Sequence, residues 1–168
     1  MPERCYGSRG DAETRRKNWD EITGAIIDDA MRLHRDLGPG LLESVYEAIL
    51  EKMLIGKGLS VERQKRVIFE YAGLRFDEGL RIDLLVEGCV VVELKSTEKL
   101  RLVHGKQVLT YLKLLDLPLG LLINFGGATL KEGLRRIVNN FPPEDSFLRS
   151  NLRASASPRD HSTENDNP

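Results

Sequence analysis

The segment from Arg81 to Ser96 constrains the fold most, because its apolar and charged residues alternate as in two strands joined by a tight turn. It has the sequence RIDLLVEGCVVVELKS. Side chains along a strand point to opposite faces of a sheet, so a slip of one residue in the pairing would exchange the two faces. A three-residue loop at 87–89 pairs apolar with apolar residues on one face. A two-residue loop would mix charge into both faces, so we predict a hairpin with the three-residue loop.

This predicted pairing brings two carboxylates together. Asp83 would lie directly opposite Glu93, with Cβ atoms roughly 4.5–5.5 Å apart, where like charges destabilise a sheet. A proton or a cation must therefore lie between them. Carboxylate oxygens suit a hard divalent ion, Mg²⁺ or Mn²⁺, and Lys95 would point into the same site. The alternative is an ordinary charged outer face, in which Arg81 and Lys95 neutralise the two carboxylates.

The surrounding chain has the pattern of a mixed α/β domain over residues 20–141. Asp20 is a predicted N-cap, and apolar residues at helical spacing predict a helix that ends before Gly38-Pro39-Gly40. Periodicity and turn residues predict two further helices, from about 42 to 56 and over 100–115. They also predict strands over 67–71, 80–86, 90–95 and 119–125. The segment at 134–139 is ambiguous. Residues 1–19 and 142–168 have few apolar anchors, so we expect disordered tails.

Composition excludes several classes of protein. The 168 residues suit one domain, and 25 Lys+Arg against 26 Asp+Glu exclude a histone-like protein that binds nucleic acid by bulk charge. Two cysteines, Cys5 and Cys89, are too few for a disulfide scaffold or a four-cysteine metal site, and they predict reduced thiols in the cytoplasm. No stretch approaches the roughly 20 apolar residues that cross a bilayer, and the N-terminus lacks the apolar core of a secretory signal. We expect no membrane partner.

Three motifs together carry a resemblance to a known family. They are Gly40-Leu41-Leu42-Glu43-Ser44-Val45-Tyr46, Arg81-Ile82-Asp83-Leu84-Leu85-Val86 and Val92-Glu93-Leu94-Lys95. In this order they resemble the GxxExxY group of the PD-(D/E)XK nuclease superfamily, and the similarity runs from about residue 22 to 139. The resemblance implies an α/β fold with a restriction-endonuclease-like αβββαβ core, a mixed central sheet flanked by helices. It also implies a divalent-metal-dependent nuclease, a hydrolase of phosphodiester bonds with DNA as the expected substrate.

The resemblance further implies roles for single residues. Glu43, Asp83 and Glu93 would hold Mg²⁺ or Mn²⁺, Lys95 would be the catalytic lysine, and Gln107 on the following helix would help to arrange the active site. Without the family, Glu43 would be a first-turn glutamate stabilised by the helix dipole. The competing function is a catalytically silent nuclease-fold module that binds nucleic acid or a protein partner.

A basic stretch follows the hairpin. Residues 95–113 contain five basic residues and one acidic residue, a local net charge of +4, which suits contact with phosphates. The candidate nucleic-acid contacts in this stretch are Lys99, Arg101, Lys106 and Tyr111. The alternative for these residues is a solvated helix face. No residue pattern indicates recognition of a 2′-hydroxyl, so the choice between DNA and RNA stays open. The sequence does not identify any protein partner.

Overall fold

The structure, a computed structural model, describes the backbone of residues 12–139 and the side chains of residues 19–139. The helices of this part are α1 (Ala12–Leu37), α2 (Glu43–Gly56), α3 (Leu102–Leu115) and α4 (Leu130–Gly133). Its strands are β1 (Val61–Arg66), β2 (Phe69–Tyr71), β3 (Leu74–Phe76), β4 (Arg81–Val86), β5 (Val90–Lys95), β6 (Leu119–Asn124) and β7 (Leu134–Val138). Residues 1–11 and 140–168 lie outside the described residues, so the prediction of disordered tails there stays a prediction.

A five-stranded sheet in the order β1-β4-β5-β6-β7 forms the centre of the described part. Strands β5 and β6 are parallel, whereas the other neighbours are antiparallel. Parallel neighbours need a crossover connection, and α3 is the helix between them in the chain. The predicted mixed sheet flanked by helices is confirmed.

Two apolar clusters bury the two faces of this sheet. On one face, Leu84 and Val92 pack with residues of α1 and α2. On the other face, Leu85 and Val91 pack with residues of α3. All six residues of β6 are buried, as expected for a central strand covered on both sides.

The predicted hairpin register is confirmed near the turn and is wrong further from it. Strands β4 and β5 pair Val86 with Val90 and Leu84 with Val92, which is the register of a three-residue loop. The ladder ends there, so Asp83 is not paired with Glu93 as predicted. Asp83 instead turns its carboxylate toward the backbone of β5, where it accepts a hydrogen bond from the Leu94 amide and its charge still raises the pKa of Glu93.

The first strand of the sheet differs from the prediction. The predicted strand over 67–71 is part of a small separate hairpin of β2 and β3, whose turn at Ala72-Gly73 is where the sequence indicates it. The sheet strand is β1, with the polar sequence VERQKR. It is an edge strand with one pairing neighbour, so it needs no apolar run, and the apolar criterion missed it.

The ends of the other elements also differ from the prediction. Helix α1 begins at Ala12 rather than after Asp20. Asp20 is therefore no N-cap, and its carboxylate accepts a hydrogen bond from Arg136 of β7 at 2.9 Å. The ambiguous segment at the end of the domain is strand β7. Within the described residues, every helix is too short or too polar to cross a membrane.

Candidate active site

Glu43 is the first residue of α2 and reaches the end of β5. The chain enters the helix through Gly40, whose φ of +110° is readily available only to glycine. The Glu43 Oε1 atom accepts a hydrogen bond from the Ser96 amide at 2.9 Å. The Ser96 hydroxyl in turn donates to the Leu41 carbonyl at 2.8 Å. The start of α2 is thus fastened to the residue that follows β5.

Tyr46 anchors the turn that leads into α2. Its hydroxyl donates to the Gly38 carbonyl at 2.6 Å and accepts from the Leu41 amide at 3.3 Å. Its ring is fully buried and stacks on Phe125, with ring centroids 4.2 Å apart. Tyr46 is therefore a packing and anchoring residue, and the G-x-x-E-x-x-Y pattern describes a glycine turn, a carboxylate and the anchor of the turn.

Asp83 lies where β4 separates from β5. Its Oδ2 atom accepts a hydrogen bond from the Leu94 amide at 2.7 Å, and its Oδ1 atom accepts one from the Gln64 side chain at 3.3 Å. Burial raises the pKa of Asp83, although the Leu94 bond and the charge of Lys95 partly oppose this shift. The carboxylate is thus fixed in direction and poorly solvated.

Glu93 and Lys95 form a buried ion pair on β5. Glu93 is 2% exposed, and its Oε1 atom lies 2.7 Å from Lys95 Nζ. Its Oε2 atom has no hydrogen-bond partner among the described residues. Burial, followed by the charge of Asp83, raises the pKa of Glu93 to about 7. Burial by itself lowers the pKa of Lys95, but the hydrogen bond to Glu93 and the nearby carboxylates outweigh it and leave that pKa raised. Lys95 is therefore a charged ammonium.

Another buried carboxylate beside the site, Glu47, was not found from the sequence. It is 5% exposed, its Oε2 atom accepts a hydrogen bond from Gln64 at 2.8 Å, and its Oε1 atom lies 3.6 Å from Arg63 Nε. Burial raises the pKa of Glu47. A signal was available, because Glu47 follows Glu43 by four residues and so shares its helix face. Gln64 could not be singled out from the sequence, because it lies within the polar segment VERQKR.

Gln107 and Tyr111 pair on α3. The Gln107 amide donates to the Tyr111 hydroxyl at 2.8 Å, as their spacing of four residues indicates. Tyr111 is only 2% exposed and belongs to the core beneath α3, and burial raises its pKa. The Tyr111 side chain therefore offers almost no surface in this structure, and its contact with nucleic acid stays a prediction.

The other candidate contacts are exposed. Lys99 and Arg101 lie in the segment before α3, and Lys106 lies on its outer surface. His104 helps to cap the start of α3, because its Nδ1 atom accepts a hydrogen bond from the Arg101 amide at 3.3 Å. Burial and the charges of Lys95 and Arg101 lower the pKa of His104.

The residues after Lys95 are fixed by the end of β6. Asn124 accepts a hydrogen bond from the Thr97 amide at 2.9 Å and donates one to the Thr97 carbonyl at 2.8 Å. Gly126 packs so closely on the Thr97 backbone that a Cβ would overlap it. Sequence reasoning missed this clamp, because its two halves are 27 residues apart.

An open cleft of about 650 Å³ lies between the start of α2 and the strand ends. Its lining residues are Gly40, Leu41, Leu42, Glu43, Ser44, Glu47, Gln64, Asp83 and Ser96. Across residues 19–139, no three His, Cys, Asp or Glu side chains are gathered closely enough to hold a metal ion. The donor atoms nevertheless fit a hard cation, because Asp83 and Glu93 offer only oxygen ligands. The charge of Asp83 raises the pKa of Glu93, and the Glu93 Oε2 atom has no hydrogen-bond partner among the described residues. A bound cation would relieve both costs.

One of three comparisons with known proteins identifies a family. A family model for the PD-(D/E)XK nuclease superfamily matches residues 20–137. Comparison with curated proteins gives no match. Among solved structures, the crystal structure of SSO0001 is similar at 19% identity over 86% of this chain and 73% of that chain, with a TM-score of 0.44. The family match covers more than half of the chain and fits the expected restriction-endonuclease-like fold. This chain belongs to the PD-(D/E)XK nuclease superfamily.

Proposed function

We propose that this protein is a divalent-metal-dependent nuclease that hydrolyses phosphodiester bonds in DNA. The observation that carries the proposal is the convergence of three groups at one end of the sheet. Asp83 and Glu93 are poorly solvated carboxylates, and the charge of Asp83 adds to burial in raising the pKa of Glu93. Lys95 is a charged ammonium 2.7 Å from Glu93. A nuclease-type function follows from the superfamily, whereas the metal and the substrate are part of the proposal.

Asp83 and Glu93 would hold Mg²⁺ or Mn²⁺, with Glu43 as a third ligand once its carboxylate leaves the Ser96 amide. When bound, such an ion lowers the pKa of a water and offsets charge on the phosphate. Lys95 would stabilise the negative charge that develops on the phosphate, which suits a lysine that stays protonated. Gln107, already oriented by its bond to Tyr111, would help to arrange the active site from α3.

The finer family assignment is also a proposal. Gly40, Glu43 and Tyr46 each have a distinct structural task at the start of α2, which supports membership of the GxxExxY group. We also propose a cytoplasmic location, in line with the low cysteine content.

DNA would enter from the side of the exposed basic residues. Lys99, Arg101 and Lys106 present their side chains to solvent near the end of β5, and their charges suit contact with phosphates rather than with bases. RNA remains an outcome of the test rather than a second proposal.

The experiment is an assay of purified protein with Mg²⁺ or Mn²⁺ on linear, circular and single-stranded DNA and on RNA. Wild type should cleave DNA, and Asp83→Ala and Lys95→Ala should abolish most of this activity. Glu132→Gln, at an exposed residue of α4, serves as the matched control. Cleavage that persists unchanged in both active-site variants would refute the proposal. A failure of wild type to bind Mn²⁺ at millimolar concentration in calorimetry would favour the catalytically silent module.

A further inference from the structure

Strand β1 contains a break in its side-chain alternation beside the active site. Arg63 and Gln64 are consecutive, so in a regular strand they would face opposite sides of the sheet. Both nevertheless contact Glu47 of α2, Arg63 through an ion pair at 3.6 Å and Gln64 through a hydrogen bond at 2.8 Å. Gln64 has φ +53°, in the left-handed region, which accounts for the turn of its side chain.

The neighbouring strand β4 contains the same break at the facing position. Ile82 and Leu84 are two residues apart and would share a face in a regular strand. Leu84 instead packs on the side of α1 and α2, and Ile82 packs on the side of α3. The register is the same on either side of the break, with Arg63 opposite Leu84 and Lys65 opposite Ile82. The two strands therefore rotate together at Gln64 and Asp83, without an inserted residue.

This double rotation directs Asp83 into the active site. In a regular strand, Asp83 would be held on the face of Leu85, and the ladder to Glu93 would continue. In the rotated strand, its carboxylate accepts hydrogen bonds from the Leu94 amide at 2.7 Å and from Gln64 at 3.3 Å. The same Gln64 nitrogen donates to Glu47, a buried residue of α2. One amide thus joins Asp83 to a helix across the cleft.

We propose that Gln64 is a positioning residue that fixes the direction of the Asp83 carboxylate, with buried Glu47 as its anchor. A non-glycine residue in the left-handed region has a steric cost, and such outliers often mark functional sites. This inference rests on the proposed function, because Asp83 matters as a ligand and not for packing. Hydrogen bonds from the Gln64 amide connect Glu47 to Asp83, and the charge of Asp83 also raises the pKa of Glu47. The role proposed for Glu47 is the hydrogen-bonded one, as the acceptor that holds the Gln64 amide.

The main test is Gln64→Gly. Glycine accepts φ +53° without strain, which offsets part of the cost of leaving the buried Glu47 carboxylate without its amide donor. Loss of the amide should weaken Mn²⁺ binding and lower kcat by about 10- to 100-fold, the usual effect of removing a group that orients a metal ligand. KM for DNA should stay near the wild-type value. Asp116→Gly is the matched control, because Asp116 has φ +52° at the far end of α3 and should leave cleavage unchanged.

A second pair of variants tests the anchor. Glu47→Gln keeps an oxygen that accepts the Gln64 hydrogen bond, whereas Glu47→Leu removes it. Glu47→Gln should therefore retain most of the Mn²⁺ affinity and kcat, and Glu47→Leu should show the loss seen with Gln64→Gly. This pair also replaces the main test if Gln64→Gly does not fold. Equal losses of Mn²⁺ affinity and kcat in Glu47→Gln and Glu47→Leu would contradict the role of Glu47 as the anchor of Gln64.

The readout that is independent of metal and cleavage is the NMR shift of the Leu94 amide proton. Its bond to Asp83 should place this resonance downfield in metal-free wild type, and Gln64→Gly should move it upfield. An unchanged Leu94 resonance would overturn the inference, even if activity fell. If wild type neither binds Mn²⁺ nor cleaves, the proposed function fails, while the Leu94 resonance still decides whether Gln64 orients Asp83.

Discussion

Glu93 carries the sharpest conflict between burial and charge among the residues of the site. Its side chain is 2% exposed, one of its oxygens has no hydrogen-bond partner among the described residues, and Asp83 adds repulsion. Lys95 relieves only part of this cost through one contact. The apo site therefore favours either a proton or a cation, which is the physical reason to expect a metal there.

The first prediction is that the metal-free protein loses stability as the pH rises. The pKa of Glu93 is raised from 4.5 to about 7 by burial and by Asp83, so the folded state binds more protons than the unfolded state between these values. The free energy of unfolding should therefore fall from pH 5 to pH 8, by up to about 3 kcal/mol from this residue. Urea denaturation in EDTA measures this trend. Glu93→Gln should flatten most of it, whereas Glu132→Gln should not; parallel curves for wild type and Glu93→Gln would contradict the prediction.

Sequence patterns could single out only those candidate site residues that stand out from their immediate neighbours in the chain. Asp83, Glu93 and Lys95 stand out because charges interrupt two apolar strands. Glu47 and Gln64 escaped, because burial and a hydrogen bond between residues 17 positions apart give them their importance. Tyr111 was assigned to the surface, since helical spacing shows that it shares a face with Gln107 but not that this face is buried.

At the scale of elements, the tight hairpin could be predicted and the edge strand could not. The register of β4 and β5 follows from a short loop and from alternation, both of which are local. Strand β1 is held by its pairing with β4, and nothing in VERQKR itself requires a strand. Where the β4 and β5 ladder ends, Asp83 accepts hydrogen bonds from Gln64 and from the Leu94 amide. No single segment contains these three residues.

The second prediction concerns the turn between α1 and α2. Gly40→Ala should lower the free energy of unfolding by about 1–3 kcal/mol, the range for strained backbone, because Gly40 has φ +110°. A Cβ there would meet no atom within 4 Å, so the cost is conformational. Urea denaturation is the measurement. Gly56→Ala is the matched control, since a Cβ there also meets nothing and the residue is helical; it should be neutral or stabilising, and equal losses would contradict the prediction.

At the scale of the whole molecule, the net charge of −1 conceals an uneven distribution. The cleft contains Glu43, Glu47 and Asp83, whereas the segment leading into α3 exposes basic residues. A phosphate backbone should be drawn to the basic segment and repelled by the metal-free cleft. A divalent ion would offset or reverse that repulsion.

The third prediction is that DNA binding depends on the metal. With Lys95→Met, which removes the proposed catalytic ammonium and so slows cleavage, a fluorescent duplex should bind at least about tenfold more tightly in Mg²⁺ than in EDTA at one ionic strength, because each 1.4 kcal/mol of removed repulsion is a factor of ten. Fluorescence anisotropy measures both values within the same variant. Equal affinity in the two buffers would show that the cleft charge does not govern binding.

The fourth prediction concerns the basic segment. The double variant Lys99→Ala, Arg101→Ala should bind the duplex more weakly and with less dependence on salt. Loss of two phosphate contacts should reduce the slope of log affinity against log salt by about 1.8. Lys131→Ala, at an exposed residue of α4, should leave the slope unchanged. An unaltered slope in the double variant would exclude Lys99 and Arg101 from the DNA-binding surface.

The most direct test of the central claim, that Asp83 and Glu93 form a divalent-cation site beside Lys95, is anomalous X-ray scattering from crystals soaked in Mn²⁺. We predict a manganese peak within ligand distance of both carboxylates, about 2.0–2.6 Å for oxygen ligands of hard cations. The same peak should be absent from crystals of Glu93→Gln. A wild-type crystal at millimolar Mn²⁺ with no peak at these carboxylates, or with an equal peak in Glu93→Gln, would contradict the claim.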